Sequence, residues 1–126
     1  MKGAQEDLWL RAKDTIEVAE YVLVRSPDNS ASRSYYAAFY AVSALFRLEG
    51  RSFRRHSALE SAVHRDLVKT GRFERSVGED FMLLVSLREK GDYGDEEHVT
   101  PDEARRALES AKRVLSAVQS ACPQLK

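Results

Sequence analysis

Long apolar runs are missing from this 126-residue chain, and so is an excess of either charge. The first absence bears on targeting. The N-terminal stretch MKGAQEDLWLRAKD holds no apolar run and carries acids, which argues against a secretory leader or a bilayer-spanning helix. Cytoplasm is the expected compartment. The second absence bears on partners. Lys plus Arg and Asp plus Glu number twenty each, so the total exerts no broad pull on nucleic acid or anionic lipid, although a local patch still can. Cysteine is nearly absent. Cys122 alone cannot close an internal disulfide or build a metal cluster, and a reducing compartment suits it. Strand-like alternation, internal repeats and low-complexity tracts are also lacking. So are a phosphate-cradling glycine loop, a serine-centred elbow, paired metal-binding carboxylates and a Cys–His arrangement. No metal and no cofactor are expected.

What is present is helical periodicity over almost the whole length. Apolar residues make up 43% and charged residues 32%, the balance of a globular domain, and 126 residues bury enough interior for one domain, 1–126. Trp9, Ala12, Ile16, Ala19 and Leu23 form one stripe and predict a first helix over about 6–24. Ser26, Pro27, Asp28 and Asn29 are read as its break. A second helix over about 30–48 carries Tyr35, Ala38, Phe39, Val42, Leu45 and Phe46, and a second line of Arg33, Tyr36, Tyr40 and Ser43. Its many alanines mark it as central, touched on several sides. A third helix is expected over about 57–69, open to a break, and a fourth over about 74–89, with Gly91 and Gly94 read as a stop and a turn. Gly78 inside the fourth costs roughly 1 kcal/mol against alanine unless something packs closely there. Thr100, Pro101 and Glu103 form a capping box that starts a fifth helix, ending near Ala121. The fold class is therefore all-α, with short loops and antiparallel neighbours.

Several polar groups stand out, each with two readings. Arg33, Tyr36 and Tyr40 are either aromatic packing with hydroxyls at the rim, or the lining of a pocket in which arginine supplies a donor fork for phosphate. Arg47, Arg51, Arg54, Arg55 and His56 are either a solvated charge run or a patch for phosphate or an acidic partner. Arg88 and Asp92 are spaced to pair across one helical turn if the helix persists that far. Alternatively, Arg88 points into a groove with Tyr93 beside it. His56 and His64 lack a third ligand for zinc, and His98 lies in an acidic loop with Glu96 and Glu97.

These pieces resemble the HEPN family. Ala31-Ser32-Arg33-Ser34-Tyr35-Tyr36-Ala37-Ala38-Phe39-Tyr40-Ala41 is similar to its signature helix. Gly50 to Phe53 with His56-Ser57, then Leu87 to Tyr93, then Thr100 to Ala104 resemble three further segments in the same order, over about residues 7–119. The resemblance implies an up-and-down bundle of four longer helices plus a shorter one, often dimeric. It also implies a place among proteins encoded beside a minimal nucleotidyltransferase in toxin–antitoxin-like pairs. Other members are metal-independent ribonucleases, and nucleotide binding has been proposed for some. The nuclease pattern is an arginine, four to six residues, then histidine. Arg88 matches the arginine, but Tyr93 follows after four residues and His98 only after nine. The expectation is thus a non-catalytic dimeric protein that binds a nucleotidyltransferase partner, a nucleotide-like anion, or both. Arg33, Tyr36, Tyr40, Arg88, Asp92 and Tyr93 would form the ligand site. The alternative is a ribonuclease toxin using Arg88 with Tyr93 or His98.

Overall fold

A helix with an apolar side chain every third or fourth residue must bury one side, and here five helices meet on that requirement. The computed structural model describes residues 3–125. Among them it places α1 (Ala4–Tyr21), α2 (Pro27–Leu48), α3 (His56–Ala62), a π-helical continuation of α3 (Val63–Val68), α4 (Arg75–Tyr93) and α5 (Pro101–Ala121). No strand occurs among the described residues. The all-α expectation, four longer helices and a shorter one, is what the chain adopts. None of these helices is long and apolar enough to cross a membrane.

α2 is the central element. It packs on α1, α4 and α5, and its Ala31, Ala37, Ala38, Ala41 and Ala44 are fully buried, small enough to let three neighbours approach. Its start lies earlier than the sequence pattern implies. Ser26 and Pro27 open the helix: the Ser26 hydroxyl accepts from the Asn29 N–H at 3.3 Å, and Pro27 occupies the first helical position. α1 correspondingly ends at Tyr21, sooner than expected. At α5 the capping box forms as read: Glu103 N–H donates to Thr100 Oγ1 at 3.1 Å, and Thr100 N–H donates to the Glu103 carboxylate at 3.0 Å.

Two glycines correct or complete the sequence reading. Gly91 does not stop α4, which runs on to Tyr93 and is capped at Gly94. A Cβ on Gly91 would stand 3.0 Å from the carbonyl oxygen of Asp28, so glycine lets the end of α4 lie against the first turn of α2. The extension carries Asp92 and Tyr93 on the same helix as Arg88. Gly78 is buried, and a Cβ there would come within 2.9 Å of Val68 Cγ2. The close packing that would justify a glycine in mid-helix is thus supplied by the end of the π segment. α3 begins one residue before its expected start, at His56, and widens at Val63. Lys69 N–H reaches back five residues to the His64 carbonyl at 2.9 Å.

Candidate functional site

Three elements converge on one polar cluster. α2 contributes Ser32, Arg33, Tyr35, Tyr36, Phe39 and Tyr40. α4 contributes Arg88, Asp92 and Tyr93 from its last two turns, and α3 contributes His56 and Glu60 from its first two. Arg88 is the hub, with its side chain 13% exposed. Its Nε donates to Asp92 Oδ2 at 3.2 Å, one turn along α4. Its Nη2 donates to the hydroxyls of Tyr36 at 3.2 Å and Tyr93 at 3.1 Å. The guanidinium lies 5.1 Å from the Tyr35 ring centroid and 5.4 Å from those of Tyr36 and Tyr93. Burial works against its charge, but Tyr36, Tyr93, Tyr35 and Asp92 together outweigh it and raise the pKa. Arg88 thus pairs with Asp92 and has Tyr93 beside it as well.

This arrangement has a chemical consequence. A phenol oxygen that accepts from arginine still has its own O–H to give. Nη1 makes no hydrogen bond among the described residues and is not sealed from solvent. Arg88, Tyr36 and Tyr93 thus offer the N–H groups of Nη1 and two phenolic O–H groups, all donors, around a side chain that keeps its charge. Asp92 Oδ2 also accepts from Ser32 at 3.4 Å, tying the end of α4 to α2.

The remaining aromatic residues continue the cluster along α2. The Arg33 guanidinium sits 4.9 Å from the Tyr36 centroid and has no carboxylate partner among the described residues. Tyr40 lies 6.0 Å from Tyr36, and its ring is covered by Arg11 of α1 at 5.4 Å. Of the three residues expected to face Arg88, Tyr36 alone hydrogen-bonds to it. Beyond Tyr93 the surface changes sign. A hollow of about 600 Å³ there is lined by Glu89, Lys90, Asp95, Glu96 and Glu97.

The residues of the basic segment differ in their surroundings. Arg51 pairs with Asp66 at 2.8 Å and lies over Phe46 and Phe53. Arg47, Arg54 and Arg55 are exposed and make no ion pair among the described residues. His56 turns inward, with its ring 4.5 Å from Phe39, 5.5 Å from Tyr36 and 5.8 Å from Tyr35, centroid to centroid. Burial, then the charge of Arg88, pull its pKa below the usual 6.5, against an opposing effect of Glu60. Glu60 accepts from the Tyr35 hydroxyl at 2.8 Å, and burial together with that bond raises the Tyr35 pKa. His98 is held elsewhere. Its Nδ1 lies 2.8 Å from Asp28 Oδ2, while Asp28 Oδ1 accepts from the Val99 N–H at 2.7 Å. The histidine in the field of Arg88 is therefore His56, which the sequence pattern groups with the basic segment. Arg11, Ser32, Tyr35, Phe39 and Glu60 were missed as members. The available signal was helical spacing: Ser32 stands one turn from Tyr36, Tyr35 one turn from Phe39, and His56 one turn from Glu60. No group of three His, Cys, Asp or Glu side chains among the described residues is arranged to hold a metal ion.

Comparison with known proteins agrees with the fold. The profile of the HEPN domain matches residues 5–121. A UPF0332 protein of Thermotoga maritima is 32% identical over 117 residues, which cover 92% of this chain and 89% of the relative. The UPF0332 protein glr0978 of Gloeobacter violaceus is 29% identical over 117 residues, 91% of this chain and 93% of the relative. The crystal structure of TT1696 from Thermus thermophilus has the same fold, with a TM-score of 0.80 at 20% identity. The superposition covers 95% of this chain and 99% of that one.

Proposed function

This chain belongs to the HEPN domain family, and from that premise we propose that it is a non-catalytic binding module holding a nucleotide-like anion on Arg88, Tyr36 and Tyr93. One observation carries the reading. Arg88 spends Nη2 on two phenol oxygens and Nε on Asp92, which leaves Nη1 and both phenolic hydrogens to an oxyanion. Arg33, over the ring of Tyr36, adds a second cation. The same reading makes the protein a homodimer and the partner of a minimal nucleotidyltransferase in a toxin–antitoxin-like pair. Family resemblance alone supports those two parts.

Calorimetric titration with adenine and guanine mono- and triphosphates tests the site. Losing hydrogen bonds to a charged group costs about 1.5–3 kcal/mol, so Arg88→Gln is expected to weaken binding by roughly 10- to 100-fold. Binding unchanged in Arg88→Gln rejects the site.

A second reading, metal-independent RNA cleavage, is favoured by one specific observation, the placement of His56. Tyrosine, with a pKa near 10, is a poor base at neutral pH, and Arg88 cannot accept a proton. His98 is engaged by Asp28. A neutral imidazole in the field of Arg88 is the group suited to take a proton from a 2′-hydroxyl. Incubation with single-stranded RNA in excess chelator separates the readings. Intact RNA upholds the binding module, and cleavage that vanishes in both Arg88→Ala and His56→Gln replaces it with an enzyme.

A further inference from the structure

We propose that anion capture at Arg88 is proton-coupled, the docking of an oxyanion on Arg88 drawing a proton onto His56. The inference rests on the oxyanion reading of the Arg88 cluster and adds a regulation of it.

Two cation-capable side chains from different helices share the same two rings. The Arg88 guanidinium lies 5.1 and 5.4 Å from the centroids of Tyr35 and Tyr36, and the His56 ring lies 5.8 and 5.5 Å from them. The groups around His56 can be named element by element. α2 presents Tyr35, Tyr36 and Phe39, with Arg33 over the outer face of the group at Tyr36. α4 presents Arg88, whose own neighbours are Asp92 and Tyr93. α3 presents Glu60, one turn on from His56, and that carboxylate is engaged by the Tyr35 hydroxyl. The preceding segment contributes Arg54 and Arg55, both exposed.

In this setting the imidazolium is disfavoured for two reasons that act together. The ring is half-buried against aromatic carbon, and Arg88, the charge that acts on it most strongly, has the same sign. Glu60 offsets these only in part. A dianion docked on Nη1 and the two phenolic hydrogens changes the second term. It cancels the field of Arg88 at His56 and replaces it with an attractive one. His56 then binds a proton at a pH where the free protein leaves it neutral. By linkage, the anion binds more tightly as the pH falls through the interval between the free and the occupied pKa of His56, with at most one proton taken up. Nothing is oxidised and no covalent bond is made; the single transferred species is a solvent proton that ends on the imidazole.

Inorganic sulfate is the probe, since its charge does not change over the mildly acidic to neutral range. The histidine ring C–H resonances are followed by NMR against pH, with and without sulfate, and assigned with His56→Gln, His64→Gln and His98→Gln. The expected result is a sulfate-dependent rise in the His56 midpoint alone, absent in Arg88→Gln. Sulfate affinity should then be several-fold tighter at about pH 5.5 than at about pH 7.5, and this pH dependence should be lost in His56→Gln. If His56→Gln fails to fold, assignment by the other two variants leaves the titration itself decisive. Sulfate binding that needs Arg88 yet leaves the His56 midpoint unmoved overturns the coupling and leaves the oxyanion reading standing. Sulfate that fails to bind, or binds equally to Arg88→Gln, overturns both.

Discussion

His56 occupies a place where an ionisable ring is poorly suited to charge, packed on Phe39, Tyr35 and Tyr36 and within the field of Arg88. That has a stability consequence with a definite sign. Above the ordinary value of 6.5 the ring is neutral in both folded and unfolded chains. Below it the unfolded chain takes up the proton first, because the folded pKa is the lower one. Stability is therefore lost as the pH falls from 6.5 through the folded value. Urea unfolding of His56→Gln beside the parent, at about pH 7.5 and about pH 5, is expected to show a shallower acid loss in the variant; equal losses would contradict this. The residue scale is also where sequence and structure part most clearly. The pairing of Arg88 with Asp92 was legible only on the condition that the helix runs past Gly91, which it does, carrying Tyr93 with it. His56 was legible as a member of the basic segment and of the resemblance, but its place beside Arg88 depends on contacts with α2 and α4, which local sequence does not encode. His98, nearer to Arg88 in sequence, is captured instead by Asp28, some seventy positions earlier.

At the scale of single elements, periodicity and the Thr100 cap were legible, whereas the equally local Ser26–Pro27 cap of α2 was read as a break. The Thr100 box and the alanine-rich face of α2 both appear as read. The error at Gly91 arose because glycine there serves a tertiary approach to the Asp28 backbone, and in sequence that is indistinguishable from a helix stop. Gly78 yields a test of the same principle. On an isolated helix, alanine would stabilise by about 1 kcal/mol. Here its Cβ would press on Val68 at 2.9 Å, and overpacking costs about 1–3 kcal/mol. Gly78→Ala is thus expected to destabilise by up to about 2 kcal/mol in denaturant unfolding. Adding Val68→Ala should recover part of that loss, giving a non-additive double-mutant cycle. A stabilised or strictly additive outcome would show that the contact does not limit the packing.

For the whole molecule, the open question is what covers the surfaces left exposed. Tyr21 is 89% exposed and Val24 92%, with Leu10, Val18, Met82 and Tyr93 also exposed. A homodimer that buries about 800 Å² per protomer would cover part of such a surface. Light scattering is expected to give twice the 14.3 kDa chain mass, and a monomer mass that does not change on dilution would reject the dimer. The way the chain closes on itself is fixed by length as well as by composition. Between Val63 and Val68 the helix winds wider than an α-helix, in the manner of an α-helix that has absorbed an inserted residue without opening a loop. Leu67 stays in the core and Val68 still meets Gly78. Removing one residue from that turn would let it tighten to an ordinary α-helix with its flanks near their present places, whereas the same deletion in a regular α-helix turns the residues beyond it by about 100°. The wide turn is therefore the place in this helix where the chain can lose a residue by tightening, and a one-residue deletion there is expected to disturb the packing of α3 on α4 less than one among the regular turns of α4.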